Sequence, residues 1–172
     1  MQRDHTTAPL STAATSGTSP AERSKVLHCK EFRWQGVEEE AYKAEGSHFS
    51  GARRQALIGV RPGEEAPAFE TRYFELAPGG YTSLEQHAHA HVVIVLRGCG
   101  EVILDQRLER IEPFTCIYIA PHALHQLHAT SEQEPLGFLC IVDRERDRPQ
   151  YPDATTLAWL REIPKIARRL RV

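Results

Sequence analysis

Between residues 69 and 142 the chain repeats one rhythm. Short runs rich in Val, Ile, Leu, Phe and Tyr alternate with Gly, Pro and polar turn residues. Strand-like runs are expected at 69–76, 81–87, 91–96, 101–104, 115–119, 125–128 and 137–142. The turn signals between them are Pro78-Gly79-Gly80, Arg97-Gly98-Cys99-Gly100, Asp105-Gln106, Pro113, Pro121 and the polar stretch 130–135. No helix-length segment separates these runs, so β-α-β units are excluded and an antiparallel sandwich or barrel is expected. Closing such strands into a barrel also removes the exposed edges that apolar strands would otherwise present.

The flanks read differently. Residues 1–24 are rich in Ser, Thr, Ala, Gly and Pro and are expected to form a disordered tail, because they offer little apolar area to offset the entropy of ordering. Residues 25–68 form an N-terminal strand arm: Phe32 and Trp34 alternate as in a short strand, a polar loop runs through Glu45 and Gly46, and 55–60 reads as a second strand. After the core at 69–143 come a charged linker and helix over 144–172. Asp153 is placed to cap a helix carrying Leu157, Leu160 and Ile163 on one face, and Pro164 to stop or kink it.

With 172 residues, 41% hydrophobic composition and a formal charge of −2, the chain has the profile of a one-domain globular protein without a protein-wide basic field for nucleic acid. Arg161, Lys165, Arg168, Arg169 and Arg171 read as a solvated helix face. No apolar run approaches a membrane span or a secretory signal. Cys29, Cys99, Cys116 and Cys140 lack metal or redox spacing and are expected as reduced thiols, mostly buried, in a cytoplasmic protein.

Histidines carry the chemistry. Glu85-Gln86-His87-Ala88-His89-Ala90-His91 is followed by Pro121-His122-Ala123-Leu124-His125. Neutral imidazole is the commonest metal ligand, and imidazole with carboxylate suits divalent Fe, Mn, Ni, Cu or Zn. Glu85 and His87 share a strand face and can reach one ion. His91 joins them only if the chain turns near Ala88-His89-Ala90. His5, His28, His48 and His128 read as ordinary surface or hydrogen-bonded residues. Tyr73, Phe74, Tyr81 and Tyr118 read as core or pocket wall.

This segment resembles the cupins, small antiparallel jelly-roll barrels whose first motif runs H-x-H, three or four residues, Glu, six residues, Gly. Counting back from Gly98 puts His91 on the family's glutamate, His87 on its second histidine and Glu85 on its first. His125 falls on the last ligand of the second motif, in Ala120-Pro121-His122-Ala123-Leu124-His125. A register shifted by two pairs His87 with His89 and puts Val93 on the glutamate. Phe114 and His122 stand where the family has glycine, Ala120 where it has proline, and Ala129 where it has asparagine.

The resemblance covers about residues 70–142. It implies an all-β jelly-roll barrel with an N-terminal strand arm and a short C-terminal helix, holding one divalent transition metal on Glu85, His87, His91 and His125. His89, near the barrel mouth, is the candidate catalytic group, with an alternative place as a metal ligand. The implied function is a mononuclear metal-dependent enzyme (an oxidoreductase, isomerase or lyase) acting on a small organic substrate. The histidine-rich set leans towards a dioxygenase. The alternative is a metal- or ligand-binding sensor. Similar cupins also pair, so a homodimer using Phe32-Trp34 or Leu157-Leu160 is expected.

Overall fold

The computed structural model describes residues 24–43, 48–60 and 67–172. The expected N-terminal tail and the Glu45-Gly46 loop lie outside the described residues, tail residue 24 excepted. The arm contributes β1 (Cys29–Lys30) and β2 (Arg33–Trp34), a small hairpin, then β3 (Glu39–Ala41) and β4 (Ser50–Ile58). The core follows with β5 (Phe69–Tyr81), β6 (His91–Arg97), β7 (Gly100–Leu104), β8 (Arg107–Ile111), β9 (Cys116–Ile119), β10 (His125–Ala129) and β11 (Leu136–Asp143). Helices α1 (Ala154–Arg161) and α2 (Pro164–Ala167) close the described chain.

Among the described residues nine strands make one curled antiparallel sheet in the order β8-β7-β10-β5-β11-β6-β9, with β4 also on β5 and β3 on β4. This is the jelly-roll barrel expected. Strand β5 is the hub, pairing with β11 and β4 along its length and with β10 at Tyr81. Alternation places Phe74, Leu76, Val93, Val95, Leu127 and Phe138 in the interior cluster. On β7, Val102 and Leu104 join that cluster while Ile103 faces the other way, against Leu160 and Ile166 of the helices. Both faces of β7 and β10 are therefore buried.

Three strand expectations change. Pro78-Gly79-Gly80 does not end a strand: it lies within β5, where the register against β4 shifts between Ser50 and Ala52. Such an irregularity accommodates Pro and a positive-φ Gly79 without breaking the strand. The run expected at 81–87 reduces to the end of β5 and an extended segment with single bridges from Glu85 to His125 and from Gln86 to Gln150. Strand β8, Arg-Leu-Glu-Arg-Ile, was hidden by its charge; it is an outermost strand on which only Ile111 is buried.

The C-terminal helix forms as its sequence indicates. Asp153 Oδ1 accepts from Thr156 N–H at 2.7 Å, and Pro164 opens α2 at a position where its missing N–H costs nothing. The basic tail is not simply solvated. Arg169 and Arg168 pair with Glu101, and the Gln126 side-chain amide donates to Arg171 O at 2.8 Å and accepts from Arg171 N–H at 3.2 Å. The aromatic arm is likewise engaged within the chain, with Trp34 and Phe32 against Tyr73 at ring separations of 4.8 and 6.2 Å. Buried Gln55 fixes this arm by donating to Phe32 O and accepting from Trp34 N–H.

Two side-chain expectations are corrected. All four cysteines are free, but only Cys140 is buried; the other three sit at strand ends or turns. Tyr118 is 65% exposed because it faces outward on β9.

Gly98 turns at φ +70°, and a Cβ there would stand 2.1 Å from Pro135 O, so only glycine fits. Phe114 and His122 adopt φ of 71° and 62°. The backbone thus keeps a glycine-like conformation where the sequence departs from the family. Phe114 is 87% exposed, so little packing offsets its strain. Phe114→Gly is expected to stabilise the protein by about 0.5–1 kcal/mol in urea unfolding, the left-handed penalty outweighing the added chain entropy.

His128 gives a pH prediction. Burial, then Arg171 and Arg169, push its imidazole down to about 4. The unfolded chain, titrating near an ordinary histidine value, takes up that proton first as pH falls. The resulting loss of stability begins near pH 6.5, is complete near pH 4, and is on the order of 3 kcal/mol. Urea midpoints measured across this window should fall less steeply for His128→Gln than for wild type.

Candidate metal centre

The site forms where the chain leaves β5, runs extended past Glu85 and His87, bends at Ala88–Ala90 and enters β6 at His91. Two contacts hold that bend. His122 N–H donates to His87 O at 2.6 Å, and Ala88 N–H donates to Asp147 Oδ2 at 2.9 Å. The turn needed to bring His91 back to His87 is therefore present. Opposite, Glu85 and His125 exchange backbone hydrogen bonds of 3.1 and 2.9 Å, which sets His125 beside the same cavity.

His87, His89, His91 and His125 form one buried group. His87 lies 4.6, 4.8 and 5.3 Å from the rings of His89, His91 and His125 respectively. One nitrogen from each of His87, His91 and His125 lies within 4.8 Å of the others, as do one nitrogen from each of His87 and His89 and a carboxylate oxygen of Asp147.

Hydrogen bonding fixes the tautomers. A carbonyl and a carboxylate only accept, so the proton sits on Nδ1 of His125, facing Ala123 O at 2.9 Å, and on Nδ1 of His89, facing Asp147 Oδ1 at 2.6 Å. Each then presents the Nε2 lone pair. His89 Nε2 and His91 Nε2 stand 3.0 Å apart, while both ring nitrogens of His87 are buried without a hydrogen-bond partner among the described residues. Converging lone pairs and an orphaned imidazole are what a divalent cation would satisfy.

Electrostatics agree with neutral rings. Burial, then the other imidazoles, holds His91 down at about 2; burial holds His125 at about 4. Asp147 is lowered to about 2 by the Ala88 N–H and by His89.

Glu85 reaches the cluster differently from the sequence expectation. Its Oε1 lies 3.4 Å from His87 Nε2, without meeting hydrogen-bond geometry. Its other oxygen is paired with Lys43, and Tyr42 Oη donates to Oε1 at 3.4 Å. Burial acts to raise the Glu85 carboxyl, but its contacts with His87 and Lys43 outweigh this and hold it below its ordinary value. Glu85 stands outside both ligand groups found among the described residues. Val93, the alternative register's fourth position, is a cavity wall.

Tyr42, Lys43, Arg72 and Asp147 also line the cavity, of ≈ 210 Å³, and none was marked in the sequence. Asp147 lies in a charged run that reads as linker, and Tyr42 and Lys43 in the arm, more than forty residues from Glu85. His122 contributes its backbone turn, His28 and His48 are exposed, and His128 is buried away from this cavity.

A cupin-domain family model matches residues 72–142. Over 138 residues the chain is 40% identical to 1-methylthio-D-xylulose 5-phosphate methylsulfurylase of Rhodospirillum rubrum, the match covering 80% of this chain and 85% of that protein. The chain belongs to the cupin family. Among solved structures, this cupin is 59% identical to a cupin-2 domain protein of Halorhodospira halophila, with a TM-score of 0.69 over 86% of this chain and 96% of that one. A cupin-2 conserved barrel protein of Rhodopseudomonas palustris is 37% identical, with a TM-score of 0.76 over 86% and 100%. The family model spans nearly the same residues as the motif resemblance. No helix among the described residues of this cupin is long and apolar enough to cross a membrane.

Proposed function

We propose that this cupin is a metal-dependent enzyme that removes the thio substituent from a 1-methylthio ketose phosphate. The observation that carries the metal is His87, a buried imidazole with two unpartnered nitrogens facing three further imidazoles. The substrate class comes from the 40% identical methylsulfurylase. A dioxygenase draws no support from that relative, and oxygen uptake is not expected.

His87, His91 and His125 are the core of the proposed ligand set. The fourth place goes to His89 in preference to Glu85, because His89 Nε2 points into the cluster, 3.0 Å from His91 Nε2, whereas one Glu85 oxygen is held by Lys43. When bound, a divalent ion would polarise the substrate's carbonyl oxygen as a Lewis acid. The chain's own groups do the rest. Asp147 orients His89 and keeps its proton on Nδ1. Tyr42 remains a hydroxyl donor, since burial and then Glu85 raise it well above its ordinary value. Val93, Ile119, Leu127 and Phe138 line the wall and exclude water.

Metal analysis of untagged protein is expected to give about one divalent ion per chain, lost in His87→Ala and His125→Ala. Asp147→Asn should weaken metal affinity about 10–100-fold by freeing the His89 ring. If Glu85→Gln loses the ion while His89→Gln keeps it, Glu85 regains the fourth position. A metal-free wild type, even after reconstitution, overturns the metal reading.

Activity is tested with 1-methylthio-D-xylulose 5-phosphate, a divalent metal and a thiol, following the sugar phosphate by mass spectrometry. Transfer of the methylthio group to the thiol is expected, the C1–S bond breaking as a C1–H bond and a mixed disulfide form, and His87→Ala should abolish it. Tight binding of metal and substrate without turnover would favour the binding-protein alternative instead.

A further inference from the structure

A second chemistry lies beside the histidines. Arg54, Arg72 and Arg146 line both the histidine cavity and an adjoining groove past Gly36, Val37 and Val60. A guanidinium keeps its charge at any working pH, and its fork of donors matches the oxygens of a phosphate.

The three arginines are not equivalent. Arg54 pairs with Glu40 and Arg146 with Glu70, each at 2.8 Å. Arg72 has no carboxylate partner among the described residues. Its Nη2 meets Cys140 Sγ at 3.9 Å, its guanidinium lies 5.3 Å from the Phe74 ring centre, and its Nε is buried without a hydrogen-bond partner. Leaving a buried charged donor unsatisfied costs more than leaving a neutral one. Strand pairing fixes the position, since Arg72 sits on β5 between Ala56 of β4 and Cys140 of β11. The same Cys140 sulfur lies 3.8 Å from His91 Nδ1, so guanidinium and imidazole flank one atom.

We propose that Arg72, flanked by Arg146 and Arg54, seats the phosphate monoester of the substrate, leaving the opposite end of a short sugar chain at the histidines. A dianionic phosphate would supply the acceptors that Arg72 lacks. This assignment rests on reading the site as one for ketose phosphates.

The test uses calorimetric binding of D-xylulose 5-phosphate, D-xylulose and inorganic phosphate to the full chain. Wild type should prefer the phosphorylated sugar by at least about tenfold. Arg72→Gln should lose about that factor for D-xylulose 5-phosphate and none for D-xylulose, the loss of one charge-assisted forked contact. Metal content and melting temperature should not change. Arg72→Lys, which keeps the charge without the fork and guards against a misfolded Gln variant, should weaken binding several-fold.

An undiminished preference in either variant, or none in wild type, overturns the phosphate seat. The two proposals separate cleanly. A phosphate preference that depends on Arg72, without release of the methylthio group, keeps the seat and removes the reaction. Turnover with a KM unmoved by Arg72→Gln does the reverse.

Discussion

Packing four imidazoles into contact inside a barrel is possible only if they stay neutral, and much of this structure follows from that requirement. Protonated rings at centroid distances near 5 Å would repel one another in a medium that screens poorly. Burial keeps His125 and His89 uncharged, outweighing their Nδ1 acceptors, a carbonyl in one case and a carboxylate in the other, which by themselves favour the proton. The carboxylate acceptor sets a further demand. Asp147 lies past the last strand, so the linker after β11 must return across the cavity mouth, and the Ala88 N–H contact holds it there. The segment that reads as a solvated linker is thereby part of the site.

The fold was legible because alternation and punctuation are local signals. Strands β6, β7, β9, β10 and β11 sit within a residue or so of their expected limits, and Asp153 and Pro164 mark the helical boundaries. What escaped had a specific cause. Strand β8 carries Arg, Glu and Arg because it lies at the margin of the sheet, where all three are exposed and only Ile111 is buried, which erases the apolar run. Pro78-Gly79-Gly80 looks like a turn, yet β5 passes through it by shifting register against β4.

The histidine cluster was partly legible for a similar reason. Three of its members lie within five residues, and His125 was placed by motif resemblance. The partners were invisible: Lys43 meets Glu85 from the arm and Asp147 meets His89 from beyond the barrel, with separations of 42 and 58 residues. Sequence spacing says that Glu85 can share a face with His87. It cannot say that a lysine from another element will take the carboxylate first. The order change that puts Glu85 on a ligand position therefore leaves its carboxylate shared between Lys43 and the face of His87.

Phe114 and His122 show how motif and geometry can part company. A motif records residues, but the barrel needs a backbone path, and here the path survives without glycine. At His122 the reason is visible, because its N–H caps His87 O and so holds the bend that carries three of the four imidazoles. Strain at that turn is offset by a contact made directly at the site. Phe114 makes a backbone bond to Val95 O but buries almost none of its ring, so its strain has a weaker compensation. The same left-handed geometry therefore has different standing at the two positions. At His122 it belongs to the construction of the histidine cluster, whereas at Phe114 it closes a turn between neighbouring strands and leaves the side chain in solvent.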